Sequence, residues 1–406
     1  MKGILSFIPV GWGQFNTLKL DDKVVITDGG SKRKVWHAIL HLHNLNLNDN
    51  ESHWIISHLD HDHISITGSY IDNRNIDVDY CYLPGVLSYD ACKKMVAMEM
   101  ALDIIISSIL RIPILPKAEI VKVILRRCKQ RIGLFKGCIK PRFNSEVEYH
   151  IIWPDIECIK YCKKLCDKIH DYVEEFCKSI RYYKCMDTFE ELSKEIYYEL
   201  SEMELKKEAI KEKESISSEE YPLPEFVESC SPSTEEFMYW WRIWRYMGWR
   251  RIISEPQQLY ELYDKYVKLK ASYSNITSLA YALIIRRPVL NIRICVDNCS
   301  DSILFIRNSD ASLLCRTVYT IYLSDLPSTS LNSALRYLYS SIKGGTNPIV
   351  LVAAHHGSYW SDMLNKMSPT ITYISSTYPR KVNEGYLSLS PIVIMSGYDL
   401  KLEITF

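Results

Sequence analysis

The sequence predicts an α/β fold. Apolar runs of strand length alternate with helical patterns along the whole chain, and a helix is predicted over 34–47 between two of the early strands. This interleaving is typical of sheets that are covered by helices. The predicted strands are 4–9, 17–20, 24–27, 54–57, 148–153, 279–285, 292–296, 303–306, 349–353, 371–374 and 400–406.

The composition is that of a folded globular protein. The 406 residues are 47% hydrophobic and 24% charged, which excludes a mainly disordered chain. Lys+Arg and Asp+Glu are both 49, so the zero net charge excludes a uniformly basic nucleic-acid coat. The most apolar long stretch, 97–116, is interrupted by Glu99, Asp103 and Arg111, so we expect a buried helix there and no transmembrane segment.

The thirteen cysteines contain no CxxC pair, which argues against a cysteine metal site. Cys158, Cys162 and Cys166 repeat every four residues, so we expect them on one helix face as small core hydrophobes. The N-terminal run is interpreted as a first core strand, because it has no signal-peptide cleavage site. These features predict a cytoplasmic protein.

Metal-binding residue types follow three predicted strands. The six positions after the strand 54–57 contain four of them: His58, Asp60, Asp62 and His63. Asp310 follows 303–306, and the sequence His355-His356-Gly357-Ser358 follows 349–353. Residues just beyond the carboxyl ends of strands converge on one crevice of an α/β sheet. Imidazole and carboxylate together suit zinc, manganese or iron, so the pattern predicts a two-metal site.

Several motifs resemble, in order along the chain, the metallo-β-lactamase superfamily and in particular the hydrolase domain of ComEC-like competence proteins. The segment ISHLDHDHISI resembles that family's H-x-D-x-D-H loop, and AAHHGSYWS is similar to its HHGSxxS. Weaker likenesses are VGWGQ, VVITDGG, IIWPD, NITSL and FIRNSDA. The resemblance implies a four-layer αββα metallo-β-lactamase sandwich with helical insertions.

The resemblance also implies a division of the chain. Two halves of the core and one core strand would be separated by a basic helical insertion, with nine Lys/Arg and one acid over 117–142, and by a second helical insertion. The second is acidic over 187–228, with fourteen acids and five bases, and rich in Trp and Arg over 237–251. The predicted boundaries are 1–87 and 271–406 for the core halves, 146–155 for the core strand, and 88–145 and 156–270 for the insertions.

Ligand roles carried over from the family depend on the same resemblance. His58 and Asp60 would hold a first metal, Asp62 and His63 a second, and Asp310 would bridge the two. One histidine of the pair His355-His356 would complete the ligands of the second metal, and His355 is preferred as the first after the strand. Asp28 would orient a ligand from behind. The implied cofactors are two divalent metals, zinc or manganese.

Two departures from the family concern the first metal. The family's histidine before proline is Trp153 here, and nothing after His356 is histidine. The first site is therefore expected to lack one ligand, which would leave it weak or empty.

The function predicted on this basis is metal-dependent hydrolysis, as a phosphodiesterase or nuclease acting on nucleic acid or nucleotides through a two-metal-activated hydroxide. Asp62, His63, Asp60 and Ser358 are the predicted catalytic residues, with a carboxylate handling a proton and Ser358 donating to substrate or capping a helix. The alternatives are a catalytically weak or inactive binding or regulatory module, and a hydrolase of small esters or lactones.

The basic insertion supplies the predicted substrate surface. Its candidate phosphate-binding residues are Arg126, Arg127, Lys129 and Arg131. A solvated helix face is the alternative interpretation of the same charges. The Trp/Arg-rich segment 237–251 suits base stacking, an interfacial helix or packing against the core.

Overall fold

The computed structural model describes residues 3–10, 13–30, 35–110, 117–143, 146–179, 184–207, 277–287, 291–296, 301–307, 320–342, 347–376, 382–396 and 400–406, with isolated positions between 261 and 289. The described residues form a mixed α/β structure with two sheets and eight α-helices. The predicted acidic and Trp/Arg-rich segment lies outside them from residue 208 to 251. None of the described helices is long and apolar enough to span a membrane.

Elements are numbered in chain order. The strands are β1 Gly3–Phe7, β2 Phe15–Leu20, β3 Lys23–Asp28, β4 Glu51–Ile55, β5 Val78–Pro84, β6 Cys128–Leu134, β7 Ile139–Phe143, β8 Val147–Trp153, β9 Lys206–Lys207, β10 Ala280–Ile285, β11 Asn291–Val296, β12 Asp301–Arg307, β13 Thr320–Tyr322, β14 Val350–Val352, β15 Ile371–Ile374, β16 Ile392–Met395 and β17 Leu400–Thr405. The α-helices are α1 Val35–Leu45, α2 His61–Asn73, α3 Asp90–Leu110, α4 Lys117–Arg127, α5 Ile159–Ser179, α6 Cys185–Glu202, α7 Ser328–Ser341 and α8 Glu384–Ser388.

Two sheets carry the core. The first has the strand order β12-β11-β17-β1-β2-β3-β4-β5-β6-β9, and β3 to β6 run parallel. The second has the order β16-β15-β14-β13-β10-β8-β7, and β13 to β16 run parallel. Within each parallel run all carboxyl ends lie at one edge, so polar residues that follow these strands are brought together there.

Aromatic side chains join the two sheets. The Phe7 ring lies 5.2 Å from that of Tyr373 on the second sheet. Tyr281 stacks on Tyr322 with ring centroids 4.9 Å apart, and its hydroxyl is 2.9 Å from Oγ1 of Thr27 on the first sheet. All these rings are buried, because alternate side chains of each strand point to the facing sheet. The four-layer arrangement implied by the resemblance stays a prediction.

The segment predicted as a basic helical insertion is not helical throughout. Residues 128–134 form β6, which pairs in parallel with β5, and residues 139–143 form β7 beside β8. The prediction is therefore wrong for 128–143. Its charge pattern hid the strands, because Lys and Arg occupy the solvent-facing positions while Ile132 and Leu134 are buried.

Three disulfides hold this region. Cys81 in β5 is bonded to Cys128 in β6. Cys92 in α3 is bonded to Cys162 in α5. Cys177 in α5 is bonded to Cys185 in α6. The expectation that Cys162 is a free core residue is therefore wrong, whereas Cys158 and Cys166 are buried free thiols whose pKa values are raised by burial. Disulfides form in oxidising compartments and also inside hyperthermophiles, so the cytoplasmic location stays a prediction.

His41 on α1 makes the stability depend on pH. Its Nε2 lies 2.7 Å from Oγ1 of Thr17. Burial, and then the charges of Lys401 and Lys19, lower its pKa from 6.5 to about 3. The unfolded chain binds a proton below pH 6.5 and the folded chain does not, so this contribution to stability is complete above pH 6.5 and is lost as the pH falls towards 3.

We therefore expect His41→Gln to flatten the acid limb of the stability curve. Between pH 6.5 and 4 the free energy of unfolding of the natural chain should fall more steeply than that of the variant. Urea unfolding at a series of pH values measures both slopes. Parallel slopes would show that His41 titrates alike in the folded and unfolded chains.

Candidate metal centre

The first group of candidate ligands lies where β4 meets α2. The strand pairs with β5, and its continuation Ile56 donates its backbone N–H to the carbonyl of Tyr82 at 2.9 Å. The chain then turns into α2 with Asp60 as the residue before the helix, in extended conformation, and Asp62 in the first turn. Acids at this end of a helix are favoured by the helix dipole. His58 is buried before the turn and His63 is buried after it.

The second group follows β14 in a strained turn. His355 and His356 have φ values of 44° and 56°, and Gly357 follows at 85°. Two successive non-glycine residues in this region are costly, so they persist only where the surroundings fix them. The backbone N–H of His355 donates to the carbonyl of Ser324 at 2.8 Å, and that of Ser358 donates to the carbonyl of His355 at 3.0 Å. In this backbone conformation the imidazoles of His355 and His356 both face Asp325.

The third group is a residue that the sequence reasoning missed. Asp325 follows β13, the parallel neighbour of β14, and Ser324 before it has a φ of 50°. The signal was a short apolar run, Ile321 to Leu323, that ends in Ser-Asp before a helix. Asp310, which was predicted for the bridging role, lies outside the described residues.

Asp325 lies at the centre of the histidines. Its Oδ1 is 3.5 Å from Nε2 of His63. Its Oδ2 is 3.6 Å from Nε2 of His58, 3.8 Å from that of His355 and 3.9 Å from that of His356. One carboxylate thus faces ligands from two different strand ends.

Two sets of three ligand atoms lie within 4.8 Å of one another: His58, His63 and Asp325, and Asp62, His63 and His356. In the second set, Nε2 of His356 is 3.0 Å from Oδ2 of Asp62. His356 and not the preferred His355 therefore lies beside Asp62. His355 instead stacks on Tyr359, with ring centroids 4.3 Å apart, on the side of the first set.

The chemistry of these atoms fits a metal. Nε2 of His58, Nε2 of His63 and Oδ1 of Asp325 are buried and have no hydrogen-bond partner. An unsatisfied buried polar atom costs roughly 1–3 kcal/mol, so three that point at one another require an explanation. Imidazole nitrogen and carboxylate oxygen are ligands for zinc, manganese and iron. Cations at the two sets would satisfy all three atoms.

The charges in the crevice are arranged around His63. Burial alone would lower its pKa, but the carboxylates of Asp325, Asp28 and Asp62 hold it well above the usual value. The neighbouring His58 has its pKa lowered, first by burial and then by His63. Burial likewise lowers the pKa of His355 to about 4. The crevice therefore favours positive charge at its centre.

Asp28 orients His63 from behind. Its Oδ2 is 2.8 Å from Nδ1 of His63, which leaves Nε2 directed at Asp325. Asp28 also accepts hydrogen bonds from the backbone N–H of Ser57 at 2.7 Å, from Oγ of Ser57 at 2.8 Å, and from the hydroxyl of Tyr322. Four groups thus hydrogen-bond one carboxylate, and the orienting role that the resemblance implies for Asp28 stays a prediction.

We expect Asp28→Asn to weaken metal binding by roughly 10–100-fold, the range measured when the outer partner of a histidine ligand is lost. The amide loses the charge that fixes the tautomer of His63. Metal titration with a competing chelator measures the affinity. Thr27→Val is the matched control, because it removes the neighbouring bond to Tyr281 but leaves His63 untouched. Equal affinities of the two variants would contradict the role of Asp28.

Of the other predicted residues, Asp60 lies at the rim, with Oδ2 3.8 Å from Nε2 of His58. Ser358 Oγ donates to the carbonyl of His355 at 2.7 Å and lies 2.8 Å from its Nδ1. Ser358 therefore orients His355, and its catalytic role stays a prediction. Trp153, which stands in place of a family histidine, is buried at the end of β8.

The predicted phosphate-binding residues lie at the opposite edge of the sheet. They belong to the end of α4 and to the first half of β6, whereas the candidate ligands follow the carboxyl ends of the parallel strands. Arg126 is paired with Asp72 at 3.2 Å and Lys129 with Asp79 at 2.9 Å. Arg127 bonds to the side chain of Asn75, and Arg131 donates to the carbonyl of Leu125. This placement separates the four residues from the candidate ligands, and their role in binding phosphate stays a prediction.

No protein-family model matches the chain, and no curated protein matches it. Among solved structures, the chain is similar to the metallo-β-lactamase fold protein YhfI from Bacillus subtilis, with 11% sequence identity and a TM-score of 0.22. The match covers 37% of this chain and 52% of YhfI, so the chain spans about half the length of that protein. At this distance the likeness says nothing about activity.

Proposed function

We propose that the chain is a hydrolase of the metallo-β-lactamase superfamily that uses two divalent metals to cleave phosphodiesters of nucleic acids or nucleotides. The observation that carries the proposal is the position of Asp325, whose two oxygens face ligands of both candidate sets. A shared carboxylate is what a two-metal site requires. Fold resemblance adds to this by analogy alone.

The residues divide between two sites. His58, Asp60 and Asp325 would hold the first metal, with His355 beside them, and Asp62, His63, His356 and Asp325 the second. When bound, the metals supply Lewis-acid stabilisation of negative charge and lower the pKa of water. The chain itself contributes fixed ligands, since Asp28 orients His63, and Ser375 Oγ lies 3.1 Å from Nδ1 of His356.

The donor set is compatible with phosphodiester hydrolysis. Three carboxylates, Asp60, Asp62 and Asp325, accompany four histidines. Carboxylates suit manganese and imidazoles suit zinc, so the mixed set can take either metal. Paired metals of this kind stabilise the attacking and leaving oxygens of phosphates in many nucleases and phosphatases.

One observation bears on the second candidate, the hydrolysis of small esters. A small cavity of about 20 Å³, with room for about one water molecule, adjoins His58 and Asp60. Pro84, Leu87 and Val96 line it, together with the buried carboxyl of Glu99. Apolar walls with an acid suit an uncharged group better than a second phosphate.

The test compares two substrate classes on the same protein. The chain loaded with manganese or zinc should hydrolyse bis(p-nitrophenyl) phosphate and single-stranded DNA or RNA faster than p-nitrophenyl acetate or a lactone. Turnover should be lost in Asp62→Ala/His63→Ala and kept in Arg126→Ala, which lies at the far edge. Unchanged turnover in the double variant would refute the proposal, and turnover of esters alone would favour the second candidate.

The metal content of the purified chain distinguishes the two hydrolase candidates, phosphodiesterase and esterase, from an inactive binding module. Two equivalents per chain, measured by mass spectrometry after dialysis, are expected for the hydrolase. Neither metal binding nor turnover would leave the binding module as the better description.

A further inference from the structure

A second cavity lies between α1 and the outer face of the first sheet. Its volume is about 180 Å³. Three polar residues of one helix face line it at spacings of four and three, which places their side chains above one another. These are His37, His41 and Asn44; Lys401 faces them from β17, and Ile8 and Pro9 form the floor.

The walls of this cavity carry positive charge. The pKa of His41 is lowered by burial and then by Lys401 and Lys19, so both ammonium groups act on the imidazole. Lys401 also pairs with Glu403 at 2.6 Å. Lys19 supplies a second ammonium group near His41. An anion that entered would meet imidazole, amide and ammonium donors together.

The cavity lies at the same edge of the sheet as the metal centre. Ile8 and Pro9 follow β1, which runs in the direction of β3, while Lys401 lies at the start of the antiparallel β17. The order β17-β1-β2-β3 puts Lys401 three strand spacings, about 14 Å, from the strand that ends at Asp28.

One loop separates the cavity from the metal centre. The chain passes from Pro9 in the cavity wall to Val10, against which Gly30 packs so closely that a Cβ there would lie 2.6 Å from the Val10 side chain. The carbonyl of Gln14 accepts hydrogen bonds from Gly29 at 3.2 Å and Gly30 at 3.0 Å, directly after Asp28. Val10 thus connects the cavity wall to the segment that follows Asp28.

We infer that the cavity of His37, His41, Asn44 and Lys401 binds a second anionic group, a phosphate, of a substrate whose scissile phosphodiester lies at the metal centre. This inference rests on the proposed function. The candidate ligands His58 and His63 follow β4, one strand beyond β3, so Lys401 lies four strand spacings, about 19 Å, from the strand that carries them. This span exceeds one phosphodiester, so the substrate class is an oligonucleotide or a nucleotide with a further phosphate. The cavity takes the role that the sequence assigned to Arg126, Arg127, Lys129 and Arg131.

Matched substrates test the inference. The p-nitrophenyl esters of thymidylate oligonucleotides of one to three residues, with and without a terminal 3′-phosphate, differ in the group that the cavity would hold. The terminal phosphate should lower KM in the natural chain, and Lys401→Ala should reduce that advantage by roughly tenfold, the effect of one charge-assisted hydrogen bond. His41→Gln should act in the same direction.

Two further variants guard against simple structural damage. Glu403→Gln should strengthen the advantage of the phosphate, because it removes the competing acid. Lys23→Ala is the control: Lys23 also pairs with an acid, Glu51, at 2.6 Å, but at the opposite edge. An equal effect of Lys23→Ala and Lys401→Ala, or a weaker advantage in Glu403→Gln, would overturn the inference.

Equilibrium binding separates this inference from the proposed function. Calorimetry with pyrophosphate and the full-length chain, freed of metal by chelation, should show binding that is weakened in Lys401→Ala and retained in His58→Ala. Such binding without turnover of any phosphodiester would leave the cavity standing and refute the proposed function. Turnover of phosphodiesters without any binding of pyrophosphate that depends on Lys401 would support the proposed function and refute the inference about the cavity.

Discussion

Asp325→Asn should abolish the binding of both metals and lower kcat/KM by about 10³-fold or more. The amide removes the charge that faces His58, His63, His355 and His356. Metal stabilisation of a transition state is worth several kcal/mol, and each 1.4 kcal/mol is tenfold in rate.

The matched control is Asp310→Asn. The resemblance gave the bridging role to Asp310, whereas the structure places Asp325 among the histidines. Metal content by mass spectrometry and kcat/KM with bis(p-nitrophenyl) phosphate should fall in the first variant and stay unchanged in the second. The opposite pattern would restore Asp310 as the shared ligand. Circular dichroism of both variants shows whether the fold is kept.

Removal of the Cys92–Cys162 disulfide should destabilise the chain by about 4 kcal/mol. The two cysteines are 70 residues apart in the sequence. In the chain-entropy model a crosslink stabilises by restricting the unfolded chain, and the effect grows with loop length. The Cys177–Cys185 disulfide closes only eight residues and should contribute about 2.5 kcal/mol.

The double variants Cys92→Ala/Cys162→Ala and Cys177→Ala/Cys185→Ala measure this order. Urea unfolding under oxidising and reducing conditions should show a larger loss for the first pair, and the natural chain should lose stability when reduced. Cys166→Ala is the control, because its thiol is free and should leave the redox dependence unchanged. Equal stability of the oxidised and reduced natural chain would contradict both values.

The long crosslink also bears on the site. It ties α5 to α3, and α3 carries Val96 and Glu99 in the wall of the cavity beside His58. Regions held by few contacts open before the rest of a protein. The crosslink therefore holds α5 against α3, the helix that lines this cavity.

The motif at 58–63 was predictable because its chemistry is local. Four candidate ligand residues within six positions after an apolar strand are recognisable without knowledge of any distant residue. Asp325 was not predictable in this way, because the strand before it has only three residues. Its partners are also distant in sequence: His58 and His63 lie 262 to 267 positions away, and His355 and His356 lie 30 to 31 positions away. Only the parallel pairing of β13 with β14 brings it to the site.

The charge patterns show the same division. The sequence gives the sign and density of the charges at 117–142. It does not give the edge of the sheet on which they lie. Strand direction decides that Arg126 and Lys129 pair with Asp72 and Asp79, and that Lys401 faces the edge of the metal centre.

By itself the sequence determined the α/β class, the ligand types and the strand ends that carry most of them. The tertiary structure decided which acid is shared, which histidine lies beside Asp62, which cysteines pair and which cationic residues reach the metal edge. The physical reason is range: residue type and periodicity act over a few positions, whereas strand order and direction are set by packing across the whole chain.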